Sequence, residues 1–278
     1  MKGTIDKFLR NIENNVMVNV DFNATYLGAD SLLYCNRCNT PIQCRIEVFG
    51  KERIVPCLCK CEGERLERER LELERRENMR KIEELRIKGF QDDNIVGWRF
   101  ENTNGSNAKV MQVMKNYVDN FAKFREQGKG LLLYGNVGTG KTFAAACVAN
   151  ALIDNGVPCY VTNFNTASNM IFENRQSYLD NLQRFRLLVL DDLGTERKTE
   201  YMQEIVFSIV DARYSAGLPM IVTTNLTLEE IKNPNSVAEA RCYDRILERC
   251  FPVEVAGVNQ RRKKIVDDYA ETKALLGI

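Results

Sequence analysis

The chain contains no histidine among its 278 residues. That absence removes Ser-His-Asp and Cys-His nucleophile systems, HExxH metalloprotease sites and Cys2His2 fingers, all of which need an imidazole as base or ligand. Whatever chemistry exists runs on Asp, Lys, Arg, Thr and Cys. There is also no apolar run long enough to cross a bilayer, and the opening stretch MKGTIDKFLRNIENN carries charges where a signal peptide needs an apolar core. The expectation is a cytoplasmic protein with no membrane partner. Nor is charge of one sign in excess: 39 basic against 38 acidic residues leave +1, so any contact with nucleic acid must come from a local patch rather than a global field. With 44% apolar and 28% charged residues, fibrous and fully disordered classes are excluded, and the length fits one large domain or a main domain plus a small one.

Cysteine, by contrast, is plentiful and unevenly spread. Six of the ten fall between Cys35 and Cys61, and the other four are scattered singly. In a reducing compartment such clustering points to metal rather than disulfides. Cys35-x-x-Cys38 and, after twenty residues, Cys59-x-Cys61 supply four thiolates suited to tetrahedral Zn²⁺. A C-x-C pair is less usual than C-x-x-C, which leaves open a ligand set using Cys57; an iron-sulfur cluster and unmetallated buried cysteines are the other accounts. No water-activating residue lies nearby, so the zinc reading is structural. Between the cysteines, CRIEVFGKERIVPC reads as two short strands around a turn at Gly50 and Lys51, and the segment before Cys35 as weakly helical.

From Glu62 to Lys88 the chain carries nine acidic and nine basic residues, with pairs four apart at Glu64 and Arg68, Glu72 and Arg76, Glu77 and Lys81, and Glu84 and Lys88. The apolar positions keep no sustained heptad. A solvated connecting helix ended by Gly89 is the expectation. Beyond it, apolar strands alternate with helical segments, the pattern of a parallel α/β sheet with crossover helices. The strands fall near 130–135, 157–163, 186–192, 219–225 and 251–257, with helices over 141–155, 166–185, 199–217 and 237–249 and a last one at the C-terminus.

Between the first of these strands and its helix lies Gly135-Asn136-Val137-Gly138-Thr139-Gly140-Lys141-Thr142, which fits G-x-x-x-x-G-K-[ST]. Glycines let backbone N–H groups turn inward around phosphates, the helix N-terminus adds its dipole, Lys141 reaches the phosphates of ATP and the Thr142 hydroxyl ligates Mg²⁺. Leu187 to Asp192 reads as a buried strand ending in two acids: Asp191 fits the Mg²⁺ side and Asp192 the group that polarises the attacking water. Alone, the pair could simply open a turn before Gly194. Thr223-Thr224-Asn225 ends the next strand at the same sheet edge, where Asn225 could orient that water.

A P-loop, an Asp-Asp strand end, a strand ending in Asn and then Arg-rich segments, in that order, resemble the AAA+ ATPases. More narrowly, LLVLDDLG at 187–194, YDRILERC around Asp244 and Arg245, and GVNQR at 257–261 resemble the bacterial replicative helicase loaders of the DnaC and DnaI type and their relative, the IstB transposition helper. The similarity covers residues 95–278. It implies Asn225 as sensor 1, Arg245 as an arginine finger delivered in trans, and Arg261 as sensor 2. Arg241, one turn earlier, is the alternative finger, and a solvated helix face is the plain alternative for both roles. The resemblance further implies ATP-driven self-assembly at subunit interfaces, a hexameric replicative helicase and single-stranded DNA as partners, and an N-terminal zinc module that contacts the helicase.

Two departures from a general AAA+ protein accompany this. Asp191-Asp192 stands where most have Asp-Glu, and only residues 258–278 follow the last strand, too few for a full helical lid. The expected architecture is therefore an α/β AAA+ P-loop NTPase with a central parallel sheet and a truncated helical lid over 95–278, preceded by a zinc-ribbon domain over 1–61 and a charged linker over 62–94. A transposition helper acting on duplex DNA and a small-molecule P-loop kinase compete. The first leaves the cysteine cluster unaccounted for, the second Asn225 and Arg245.

Overall fold

The computed structural model describes residues 24–103, 105, 107–195 and 199–278, and every statement below concerns those residues. The helical character expected before Cys35 falls mostly outside them. Within them, over residues 24–34, the chain forms strands instead: β1 (Thr25–Leu27) pairs antiparallel with β2 (Leu33–Cys35), and Tyr26 stacks on Tyr34 at 5.6 Å between ring centroids. Cross-strand aromatic pairing of this kind outweighs the weak local helical preference. A second hairpin joins β3 (Gln43–Val48) to β4 (Lys51–Pro56). Its two turn residues are Phe49 and Gly50, at φ +53° and +71°, one position earlier than the sequence implied. Positive φ at both positions is the turn whose twist matches that of the paired strands.

A single long helix, α1 (Lys60–Gly89), follows. By contacts the chain divides into two compact units, one ending at Met79 and the other spanning Arg80–Ile278. Along α1 the ion pairs differ from the four expected. Arg65 sits between Glu62 and Glu69 at 2.5 Å from each, and Arg70 between Glu67 at 2.6 Å and Glu74 at 3.5 Å. Arg68 turns back to the Glu64 carbonyl. A central arginine reaches carboxylates in both the preceding and the following turn, and such exposed pairs contribute little each.

The second unit is a three-layer α/β structure. After α2 (Ala108–Asp119) and α3 (Phe121–Glu126) come β5 (Gly130–Tyr134), α4 (Lys141–Asp154), β6 (Cys159–Asn163), α5 (Phe164–Leu182), β7 (Leu187–Leu193), α6 (Glu200–Ser215), β8 (Met220–Thr224), α7 (Leu228–Lys232), α8 (Val237–Arg249), β9 (Cys250–Glu254) and α9 (Gln260–Leu276). The five strands are parallel in the order β6-β7-β8-β5-β9. Side chains alternate between the faces as a pleated strand requires. Leu131, Leu133, Leu187, Val189 and Ile221 pack with α2 and α4, whereas Leu132, Leu188, Leu190, Met220 and Val222 pack with α5, α6 and α8. Burial on both faces is why these strands read as continuous apolar runs.

Two devices fix the layers. Gly89 ends α1 where a Cβ would lie 2.6 Å from the Cys159 carbonyl, so only glycine lets the chain run on to the parallel bridge between Phe90 and Val161. Arg213 of α6 is fully buried and donates to the carbonyls of Leu182 (3.0 Å), Phe185 (2.9 Å) and Pro219 (2.6 Å). Its guanidinium thus satisfies the end of α5 and the turn into β8. Burial pulls its pKa down to about 10. Among the described residues, the helix α9 follows β9. No helix among the described residues is long and apolar enough to cross a membrane.

Candidate functional site

The C-terminal ends of β5, β7 and β8 meet at one edge of the sheet, and the loop from Gly135 to Gly140 closes over it into α4. Gly138, at φ +80°, shows why this loop is glycine-rich: a Cβ there would fall 2.2 Å from the Asn259 Oδ1 atom. Asn259 in turn caps α9 by accepting from the Arg262 N–H, and the Gln260 N–H donates to the Gly138 carbonyl at 2.9 Å. The start of α9 therefore rests on the loop.

Lys141 is buried, and its Nζ donates to the carbonyls of Gly135 (2.8 Å) and Asn136 (2.7 Å) and to Asn225 Oδ1 (2.8 Å). Burial lowers its pKa, opposed by the carboxylates of Asp192 and Asp191. The Thr142 hydroxyl lies 2.9 and 3.0 Å from the two Asp191 carboxylate oxygens. Burial raises the Asp191 pKa, with hydrogen bonds from Thr223 and Thr142 working against it. Asp192 lines the neighbouring cleft at a left-handed φ of +60°.

That cleft encloses about 550 Å³. The structure gathers Val137 to Thr142, Asp192, Asn225 and Arg261 around it, with Gly135, Asn136 and Asp191 directly behind. Arg245 is elsewhere. Its guanidinium lies 3.0 Å from Asp211 and over the rings of Phe207 (4.3 Å) and Tyr214 (5.4 Å), on the outer face of α6 and α8. Arg241 is exposed on α8. Sequence reasoning missed the far wall of the cleft. Trp98, Asn102 and Phe143 form it, with Trp98 and Phe143 rings 5.5 Å apart, and the Asn107 amide holds the Thr139 carbonyl at 2.8 Å. The one tryptophan of the chain was the only available signal. An apolar wall beside a phosphate-sized polar loop can take a planar base next to a polyanion.

In the first unit, the sulfurs of Cys35, Cys38, Cys59 and Cys61 all lie within 4.8 Å of one another, with Cys35 to Cys61 at 3.6 Å and Cys59 to Cys61 at 3.4 Å. A tetrahedral zinc with bonds of about 2.3 Å places its sulfurs roughly 3.8 Å apart, so the cluster fits that ion with little adjustment. Cys57 stands apart, its thiol directed to the Pro41 carbonyl, and burial raises its pKa. Thr40, which carried no signal in the sequence, links the two halves: its hydroxyl meets the Cys38 sulfur at 3.0 Å and accepts from the Lys60 N–H at 2.9 Å. The Thr40 contact is the main reason the Cys38 pKa drops to about 5, whereas hydrogen bonds to Cys59, Cys35 and Cys38 push that of Cys61 up to about 12, so the clustered thiols do not ionise alike.

A parallel sheet in this order, with a phosphate-type loop after β5 and an acidic strand end two strands away on β7, defines a P-loop ATPase fold of the AAA+ kind. The chain belongs to the IstB-like ATP binding protein family, whose profile matches residues 61–267. It is similar to the replicative helicase loader DnaI of Bacillus subtilis, 26% identical over 205 residues, which is 66% of this chain and 65% of the loader. The replicative helicase loader DnaC of Escherichia coli is 29% identical over 150 residues, 51% of this chain and 58% of that protein. A putative insertion sequence ATP-binding protein of Sinorhizobium fredii is 28% identical over 148 residues, 51% of this chain and 49% of that protein. The chain thus spans less than two thirds of the length of each. The crystal structure of DnaI is 24% identical and superposes with a TM-score of 0.51 over 61% of this chain and 94% of that one, a likeness of fold.

Proposed function

We propose that the chain is a cytoplasmic, ATP-dependent loader of a hexameric replicative DNA helicase that also binds single-stranded DNA. The observation that carries this reading is the convergence of Lys141, Thr142, Asp191, Asp192, Asn225 and Arg261 on one cleft in a chain whose curated relatives include helicase loaders. In this reading Gly135 to Lys141 hold the phosphates of ATP, and Thr142 and Asp191 supply oxygen ligands to Mg²⁺. Asp192 and Asn225 orient the attacking water, and Arg261 answers the charge that develops on the phosphate. Bound nucleotide with its metal supplies the phosphoryl group to be transferred. Everything else is positioning by these side chains.

Arg245 acts in trans on a neighbouring subunit's nucleotide, which makes hydrolysis depend on self-assembly. Its place away from its own cleft supports that role, and the exposure of Arg241 keeps that residue as the alternative. The four-cysteine module holds Zn²⁺ and, over residues 1–61, contacts the helicase, with 62–94 linking it to the ATPase of 95–278.

A transposition helper acting on duplex DNA is the second reading, favoured by the family profile and the insertion-sequence relative. Co-purification with the cognate hexameric helicase separates the two. Recovery of a stable complex supports the loader, whereas no complex, together with tight duplex binding in the absence of nucleotide, supports the helper.

A further inference from the structure

The ladder between β7 and β8 changes register where the two acids stand. Leu190 pairs with Val222 and Leu193 with Thr224, so Asp191 and Asp192 together face the single residue Thr223. Such a bulge re-aims side chains and leaves a backbone group without its ladder partner. Here Asp192 also takes φ +60°, a left-handed conformation that an aspartate tolerates but does not prefer. The Asp192 N–H, freed from the ladder, donates to the Thr223 hydroxyl oxygen at 3.0 Å. The same hydroxyl donates to Asp191 Oδ1 at 2.5 Å. Thr223 is fully buried. Because its oxygen accepts from Asp192, the one proton it carries is directed onto Asp191.

We propose that Thr223 is a positioning residue for the ATPase reaction, its single hydroxyl pinning the bulge that separates the two carboxylates. One bond holds the Asp191 carboxylate against the Thr142 hydroxyl, on the metal side. The other holds the strained Asp192 backbone so that its side chain lines the cleft. A valine of the same shape fills the space but removes the acceptor of the part-buried Asp192 N–H and leaves Asp191 Oδ1 with Thr142 as its remaining side-chain partner. The inference rests on the ATPase reading above.

The test compares Thr223→Val with Thr223→Ser in the full chain. Three readouts are used: binding of fluorescent ADP in EDTA, the Mg²⁺ dependence of ATP turnover, and amide exchange at Asp192. Thr223→Val should bind ADP like wild type. Its turnover should fall about tenfold or more and its half-saturating Mg²⁺ rise about fivefold, as loss of a preorganised polar contact implies. Its Asp192 amide should exchange about tenfold faster, because a hydrogen bond protecting it is gone. Thr223→Ser should restore all three readouts. Wild-type turnover, Mg²⁺ dependence and exchange in Thr223→Val would overturn the inference and leave the ATPase reading intact. So would equal impairment of the serine and valine variants, since packing alone would then explain the loss. A wild-type chain that neither binds nor hydrolyses magnesium ATP would instead overturn the ATPase reading and the positioning role of Thr223 with it.

Discussion

Lys141 Nζ donates to Asn225 Oδ1 at 2.8 Å, which ties the first residue of α4 to the end of β8. The two residues are 84 positions apart in sequence. The bond sets the lysine at the point where loop, sheet edge and cleft converge, and it brings the residue read as phosphate ligand into contact with the one read as water-orienting.

From this geometry, Lys141→Ala should weaken ATP binding strongly, because the ammonium acts on ground-state phosphate. Asp192→Asn should retain binding and lose turnover by about 100-fold or more, because its role is confined to the transition state. Fluorescent-nucleotide titration and a phosphate-release assay read the two effects separately. Equal loss of binding in both variants would contradict the assignment of Asp192.

The sulfur cluster should hold about one Zn²⁺ per chain, with four thiolates as ligands. Cys35→Ser or Cys38→Ser should lose the metal and unfold the first unit while nucleotide binding by the second persists. Cys57→Ser should keep the metal, since its thiol is directed to Pro41. Metal analysis of protein purified without chelator checks all three. Zinc lost in Cys57→Ser but kept in Cys35→Ser would exchange the ligand assignment.

Arg245→Ala should bind ATP as a monomer yet fail to hydrolyse it in the assembly. Mixing it with Lys141→Ala protein should restore part of the activity, each variant supplying what the other lacks. If Arg245→Ala instead turns over normally and Arg241→Ala does not, the finger belongs to the exposed Arg241. The Arg245 side chain would then serve only its contacts to Asp211, Phe207 and Tyr214.

Because doubly buried parallel strands are apolar runs bounded by turn residues, four strands of the large sheet lie within a residue or two of where the sequence places them, and the last, β9, ends three residues earlier than expected. The loop from Gly135 to Thr142 and the acids at 191 and 192 were legible for a related reason: contiguous residues carry their chemistry. Trp98, Asn107 and Thr223 were not, since each acquires its role from a chain segment distant in sequence. The same holds for Thr40, whose hydroxyl joins two cysteine pairs that the sequence shows only as spacings. Strands β1 and β2 were missed because three-residue strands carry too little periodicity to compete with a helical reading.

A net charge of +1 predicts weak duplex binding at physiological salt and a shallow salt slope. If ATP assembles subunits, modest basic groups on each line a shared groove, and single-strand affinity should rise about tenfold, or roughly 1.4 kcal/mol. Fluorescence anisotropy with labelled oligonucleotides reads this, and Arg245→Ala should lose the gain. Identical single-strand affinity with and without ATP would contradict coupled assembly.

The most direct measurement of the central claim is transfer of the cognate hexameric helicase onto a closed single-stranded DNA circle, scored by unwinding of an annealed oligonucleotide. With ATP, the chain should accelerate unwinding by about tenfold or more over helicase alone, as expected when a slow loading step is removed. Lys141→Ala should give no acceleration. Unwinding that is unchanged by the wild-type chain, or accelerated equally by Lys141→Ala, would contradict an ATP-dependent loader.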